Sequence, residues 1–294
     1  MINKLEMFIA VAKEGHFGRA AESLGVTQPT LSTGIKQLEE QLGVQLVFRG
    51  SRYGGLTPEG ARALVWARKL VGDARAFREE MRVSRHGLSG HLRLAVIPTA
   101  LTWAAKLSAH FAEAHPKVRF TILSRNSSDI LKMLENLEVD AGLSYLDNEP
   151  LGRMTTAPIY TERYTLVCHA DNPLALQAQV TWADLAGERL CLLTPDMQNR
   201  RIINQCFMEA DVTPDALVEA NSTLVLAAHV AEGGWVTILP ADMARFLSAG
   251  KRLAIVPITG AHVEHVVGLV APHREPHTPV LDALLGFAAA LNRG

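Results

Sequence analysis

Cysteine is scarce in this chain: Cys168, Cys191 and Cys206 are all that its 294 residues contain. Three is an odd number, and each lies in an apolar stretch, which excludes a disulfide-stapled scaffold and suits buried thiols in a reducing compartment. Long hydrophobic runs are missing too. No segment approaches the roughly eighteen uninterrupted apolar residues that span a bilayer, so no membrane partner is expected. The first ten residues carry Glu6 inside an apolar stretch and no small-residue cleavage site; they do not read as a secretory leader, and a cytoplasmic setting is expected. Excess charge is lacking as well: 29 Lys and Arg stand against 30 Asp and Glu, which argues against a general nucleic-acid coat. Catalytic signatures are absent. There is no nucleophile elbow, no phosphate-cradling glycine loop and no helix carrying two metal-binding histidines, so neither an enzyme nor a resident cofactor is expected.

What is present begins between Phe17 and Gly43. Ala20, Ala21 and Leu24 mark the inner side of a short helix that Gly25 ends, as a residue free to take positive φ often does. Thr27 is a good N-cap for the next helix, and Pro29 is tolerated in its first turn, where an N–H has no intrahelical partner. Leu31, Ile35, Leu38 and Leu42 then supply an apolar stripe at helical spacing. The outward side carries Gln28, Thr30, Ser32, Thr33 and Lys36, short polar groups plus one cation. That composition suits a recognition helix whose first turn meets base edges in a major groove. An ordinary helical hairpin in a globular core is the competing reading. The next residues weigh against it: a short apolar strand, a glycine-rich turn with Arg49 and Arg52, and a return to Leu56 read as a wing that places arginines beside phosphates. Thr57 and Pro58 then open a long helix.

The run from Leu5 to Gly60 resembles the winged helix-turn-helix of the LysR-type transcriptional regulators. The matching residues include Phe8, Val11, Ala12, Phe17, Ala20, Ala21, Leu24, Gln28, Pro29, Ser32, Ile35, Leu38, Glu39, Leu42, Gly43, Leu46, Arg49, Leu56, Thr57 and Gly60. Three places depart from the pattern. His16 stands where the family usually has Ser, Val47 where it has Phe with the aromatic displaced to Phe48, and Thr33-Gly34 where larger polar residues are common. The resemblance implies an α/β protein of three parts: a DNA-binding head over 1–60, a linker and dimerisation helix with hinge over 61–89, and an effector-binding domain over 90–294 with the periplasmic-binding-protein-like fold. It also implies sequence-specific binding of an inverted-repeat operator in double-stranded DNA, association into a dimer and a dimer of dimers, and contact with RNA polymerase.

The head residues Thr27, Gln28, Pro29, Thr30, Ser32, Thr33, Lys36, Arg49 and Arg52 are the expected DNA contacts. Through residue 85 there are thirteen Lys and Arg against nine Asp and Glu, an excess of four, and the remainder carries a deficit of five. Affinity therefore has to come from positioned contacts rather than bulk charge. Leu64, Ala67, Val71 and Ala74 recur at three- and four-residue steps along the long helix, the seam of a coiled coil with a second subunit. The alternative is that this face packs on the chain's own head.

Beyond Gly90, strands expected over 92–97, 119–123, 140–144, 164–168, 189–193, 235–239 and 265–270 alternate with helices over 101–114, 128–137, 200–210, 223–232 and 279–292. Such alternation makes a mostly parallel sheet with helices on both faces. Crossovers near residues 161 and 265 divide the domain into one half of about 90–161 plus 266–294 and another of about 162–265. Ligands in such folds sit beyond the carboxyl ends of strands, where helix N-termini offer free N–H groups. Pro98, Thr99, Ala100, Thr102, Ser127, Ser128, Ser144, Thr194, Pro195 and Thr223 match the effector-lining positions and favour a small polar or anionic metabolite. Peroxide-sensing members of the family use a disulfide in the second half. Aligning on Cys206 leaves 197–199 without a partner cysteine, and Cys191 falls in an apolar strand, so packing thiols are expected. His262, Glu264, His265, His273 and His277 are spaced too irregularly for a metal site, and none is expected.

Overall fold

The computed structural model of the chain describes residues 1–48, 53–147, 150–260 and 264–291, with only the backbone of 84–86. The head opens with α1 (Ile2–Glu14), α2 (Phe17–Ser23) and α3 (Gln28–Leu42), and a long α4 (Pro58–His86) follows. The caps are those the local chemistry requires. Thr27 Oγ1 accepts from the Thr30 amide at 3.3 Å and Thr57 Oγ1 from the Gly60 amide at 2.9 Å. Each cap precedes a proline in the helix's first turn. His16, which stands where the family usually has Ser, caps α2. Its Nδ1 accepts from the Gly18 and Arg19 amides at 3.0 and 3.3 Å, which needs the tautomer protonated on Nε2.

Close approach inside the head depends on missing side chains. A Cβ on Gly34 would stand 2.4 Å from Met7 Sδ, and one on Gly60 would stand 1.9 Å from the Leu46 carbonyl oxygen. Buried Glu39 ties the wing to α3 by accepting from the Leu46 and Val47 amides at 2.8 and 3.3 Å. Val47 pairs with Leu56 and is buried, whereas Phe48 points outward at 52% exposure. The tip of the wing, with Arg49 and Arg52, lies outside the described residues.

The domain beyond the linker consists of β1 (Gly90–Val96), α5 (Leu101–Ala114), β2 (Val118–Ser124), α6 (Ser127–Glu135), β3 (Ala141–Tyr145), β4 (Met154–Glu162), β5 (Tyr164–His169), β6 (Val180–Thr181), β7 (Leu190–Leu193), α7 (Gln198–Glu209), β8 (Ala216–Ala220), α8 (Thr223–Ala231), β9 (Val236–Pro240), α9 (Ala241–Ser248), β10 (Leu253–Thr259), β11 (His265–Pro272) and α10 (Pro279–Leu291). Two sheets result, ordered β2-β1-β3-β11-β4 and β6-β10-β5-β9-β7-β8. The chain enters the second sheet through Arg163 alone, between β4 and β5, and returns between β10 and β11. Arg163 Nε and Nη2 reach Glu264 Oε1 at 2.8 and 2.7 Å, pinning the two crossings together at the surface.

The sheets are mixed rather than mostly parallel. β11 runs antiparallel to both β3 and β4, and β5 antiparallel to both β9 and β10: in each sheet the strand by which the chain enters from the other half runs against its neighbours. β4 and β10 each contain a proline, Pro158 and Pro257, and escaped the sequence reading for that reason. Pro158 lies on the edge strand β4, next to the register shift at Val267/Gly268, and Pro257 faces Thr165 of β5 just before β10 pairs with two-residue β6.

α4 is the structural axis of the protomer. Ala67 and Val71 are 1% and 0% exposed within the core of the chain's own head, and Leu64 packs against the same core. This corrects the seam expected from spacing at Ala67 and Val71: these small residues let α1 lie close to α4 and are covered by the chain's own head. Ala74 is half-buried. The apolar residues of α4 left outside are Val65, Trp66, Leu70, Phe77 and Met81, with Trp66 63% and Phe77 65% exposed. Gly72 serves a third contact, since a Cβ there would overlap the Arg274 guanidinium from the first half of the neighbouring domain. Val71→Asp should therefore unfold the head by placing an unpaired carboxylate in its core. Thermal melts of the full chain should lose the head's transition; a head that melts as in the wild type would contradict this packing.

Candidate DNA-binding surface and effector cleft

On α3 the buried residues are Leu31, Gly34, Ile35, Leu38 and Glu39. Thr27, Gln28, Pro29, Thr30, Ser32, Thr33 and Lys36 are all exposed. The entry turn is held by its own side chains, with Thr27 and Thr30 hydroxyls 2.8 Å apart. Lys36 stands 3.8 Å from Glu40, an exposed pair of little strength. The outer side of the helix thus presents amide, hydroxyl and ammonium groups on a rigid element.

Between the two halves lies a cleft of about 830 Å³, at the carboxyl ends of β2, β7 and β8. Pro98, Thr194 and Thr223 line it. Thr99, Ala100, Ser127 and Ser144 are buried and do not line it, and Ser128 and Pro195 are exposed and outside the lining. Thr102 sits in the first turn of α5, half-buried. The hydroxyls of Thr99, Thr102 and Thr194 are buried and make no hydrogen bond of full geometry with the protein. The structure adds lining residues the sequence did not offer, among them Arg125, Asp129, Asp196, Glu219 and Asn221. Glu219 is the last but one residue of the half-exposed strand β8 and Asn221 follows it; the strand shows no clear apolar alternation.

Side-chain hydrogen bonds cross between the halves beside the cleft. Asn126 caps α6 by accepting from the Asp129 amide at 2.8 Å, and its Nδ2 donates to Asp196 Oδ2 at 3.0 Å. The adjoining Thr194 hydroxyl and this amide hold the Asp196 carboxyl below the usual carboxylate range. Trp103, stacked on Tyr160 at 4.7 Å, donates from Nε1 to Asp242 Oδ2 at 2.9 Å. Arg200 does not face a ligand: its guanidinium is committed to Glu219 and the Leu193 carbonyl, both at 2.8 Å.

At the crossing itself Glu162 is fully buried. Its Oε2 accepts from Tyr145 at 2.6 Å and Tyr164 at 2.9 Å, so one carboxyl joins a hydroxyl from each half. Burial pushes this carboxyl up to about 7, against the opposing effect of those hydroxyl donors.

The three cysteines are free and buried, and burial pushes each thiol up to about 11. The histidines are spread out. His265 lies 3.3 Å from Asp147, whereas His273 and His277 share the Thr155 hydroxyl at 3.3 and 3.2 Å. His262 lies outside the described residues, and among those described no three ligands are grouped to hold a metal.

Because Glu162 keeps its proton up to about 7 in the folded chain and loses it near 4.5 when unfolded, stability should fall as pH rises through that window. Glu162→Gln removes the titration. The melting temperature of the variant relative to wild type should climb between pH 4.5 and 7 and level off above; a constant difference would contradict the assignment.

Comparison with known proteins extends these observations. Residues 2–61 match the model for the bacterial regulatory helix-turn-helix protein, lysR family, and residues 85–293 that for the LysR substrate binding domain. The DNA-binding transcriptional dual regulator OxyR of Escherichia coli is 31% identical over 242 residues, covering 82% of this chain and 79% of its own. An uncharacterized HTH-type regulator of Shigella flexneri, YfeR, is 29% identical over 291 residues, 96% of this chain and 91% of its own. Among solved structures, a full-length OxyR variant from Pseudomonas aeruginosa superposes with a TM-score of 0.74 at 24% identity, covering 100% of this chain and 94% of that one. CbnR in complex with its target DNA gives 0.62 at 22% identity, covering 99% of each chain. A head with an exposed polar recognition helix, a long linker helix and a two-lobed domain around a cleft are thus joined to a family match over nearly the whole length: the chain belongs to the LysR family, and is a DNA-binding transcriptional regulator with an effector-binding domain, not an enzyme.

Proposed function

We propose that this regulator reads an inverted-repeat operator in double-stranded DNA as a two-fold assembly, under control of a small polar or anionic metabolite bound between the two halves. The observation that carries the effector reading is the cleft of about 830 Å³ between the halves, whose lining brings Arg125, Asn126, Thr194, Asn221 and Thr223 together. Polar groups converging on a cleft of this size suit a small polar or anionic ligand. In the head, Gln28 and Ser32 read base edges, the remaining exposed groups of the entry turn and Lys36 fix register, and Arg49 and Arg52 hold phosphates. The apolar residues left outside on α4 supply the subunit contact. Trp66, Leu70, Phe77 and Met81 follow one another at four- and seven-residue steps, a stripe along one side of the helix. Association of two dimers and altered access for RNA polymerase complete the reading.

Relatives named as hydrogen peroxide-inducible activators raise a second possibility, peroxide sensing. The thiols disfavour it. With values of about 11, the thiolate fraction at pH 7 is on the order of one in ten thousand.

Three outcomes are expected. Gln28→Ala should relax preference at one base pair by about 1–3 kcal/mol, measured by competition among operator variants, while uniform loss across variants would remove Gln28 from the readers. Phe77→Asp should leave a folded monomer in light scattering; an unchanged assembly would move the subunit contact elsewhere. Thr194→Val should weaken the response to a metabolite found by thermal-shift screening while sparing operator affinity. A wild-type response in Thr194→Val and Thr99→Val together would displace the effector from this cleft.

A further inference from the structure

α6 touches the cleft at one end and the DNA-binding head at the other. At its start, Asn126 donates across the cleft to Asp196. In its middle, Ile130 and Leu134 are fully buried on β3, seated so closely that a Cβ on Gly142 would stand 2.3 Å from Ile130. Just past its end, three consecutive residues are gripped by the head and linker. Asn136 Oδ1 accepts from Arg68 Nη2 of α4 at 2.5 Å. The Leu137 carbonyl accepts from Arg75 Nη1 of α4 and from Arg93 Nη2 of β1, both at 3.0 Å. Glu138 Oε2 lies 3.0 Å from Lys13 Nζ of α1. The Leu137 side chain packs against the apolar core of the head.

Leu137 also has φ 60°, a left-handed conformation that a leucine adopts only where its surroundings hold it there. The contacts on either side of it are those surroundings. Nine residues of helix span about 13 Å, and a helix this short, buried along one face, moves as one piece.

We propose that α6 is a strut coupling the effector cleft to the DNA-binding head of the same protomer, with Leu137 as the positioning residue that transmits its movement. Closure or opening at Asn126 shifts α6 along β3, and residues 136–138 carry the shift to α1 and α4, where it re-aims the recognition helix. The coupling runs both ways, because one displacement of α6 is biased by contacts at each end. This rests on the reading that the cleft takes an effector, but its test needs none.

Asn126→Asp sets a second carboxylate against Asp196 and still caps α6, since Asp is as good an N-cap as Asn. Leu137→Gly removes the transmitting side chain and keeps a residue suited to positive φ, and Leu137→Met restores apolar bulk. Hydrogen–deuterium exchange is followed in the full chain without ligand. Asn126→Asp should speed exchange of the α4 amides over 68–75 and of the last turn of α1 by about threefold or more. The same substitution should add nothing in a Leu137→Gly background, and should act fully in a Leu137→Met background. Wild-type rates over 68–75 in Asn126→Asp, or an undiminished response in the Leu137→Gly background, would overturn the strut. Either result leaves the effector reading standing, because no effector enters the experiment.

Discussion

One helix has to satisfy three neighbours. The first face of α4 completes the core of the head through Ala67 and Val71, its Gly72 accepts the Arg274 guanidinium from the effector domain, and its remaining apolar side is exposed. Each demand selects different residue sizes. Ala67 and Gly72 bring neighbouring elements close, and Trp66 and Phe77 offer wide apolar surfaces that a solitary chain leaves in water. The orientation of the recognition helix relative to the effector domain follows from how these contacts fix α4.

The effector domain shows a comparable concentration of constraint at its crossing strands. Glu162 carries hydroxyl donors from both halves in a site without water access, and the Arg163–Glu264 pair closes the crossing on the outside. The exposed pair contributes little to stability, whereas the buried carboxyl and its tyrosines are sensitive to any change that leaves a donor unpaired. Together they keep the two halves in register, while Asn126–Asp196 and Trp103–Asp242 join them farther out.

The head was legible in the sequence because its signals are local. Thr27 with Pro29, Thr57 with Pro58, and the closing glycines Gly15 and Gly43 state helix ends within a few residues. The effector domain was legible in outline, and failed where the signal was non-local. Pro158 and Pro257 hid two strands whose position at or near a sheet edge makes proline harmless, and the unassigned β8 concealed Glu219 and Asn221 in the cleft. The subunit seam failed for another reason. A three- and four-residue repeat of small residues specifies a close helix neighbour without saying whose, and only the buried position of Val71 against α1 assigns it to the same chain. The contacts of residues 136–138 with the head had no sequence signal, since they join positions more than sixty apart.

On the function proposed above, two recognition helices are held by a two-fold assembly at a spacing that α4 sets. Selection of bound duplexes from a random pool by the full chain tests it most directly. An inverted repeat should be enriched, its half-sites about one helical turn, roughly 10 base pairs, or a multiple of it apart. Enrichment of a lone half-site, of direct repeats, or of no sequence at all would contradict it.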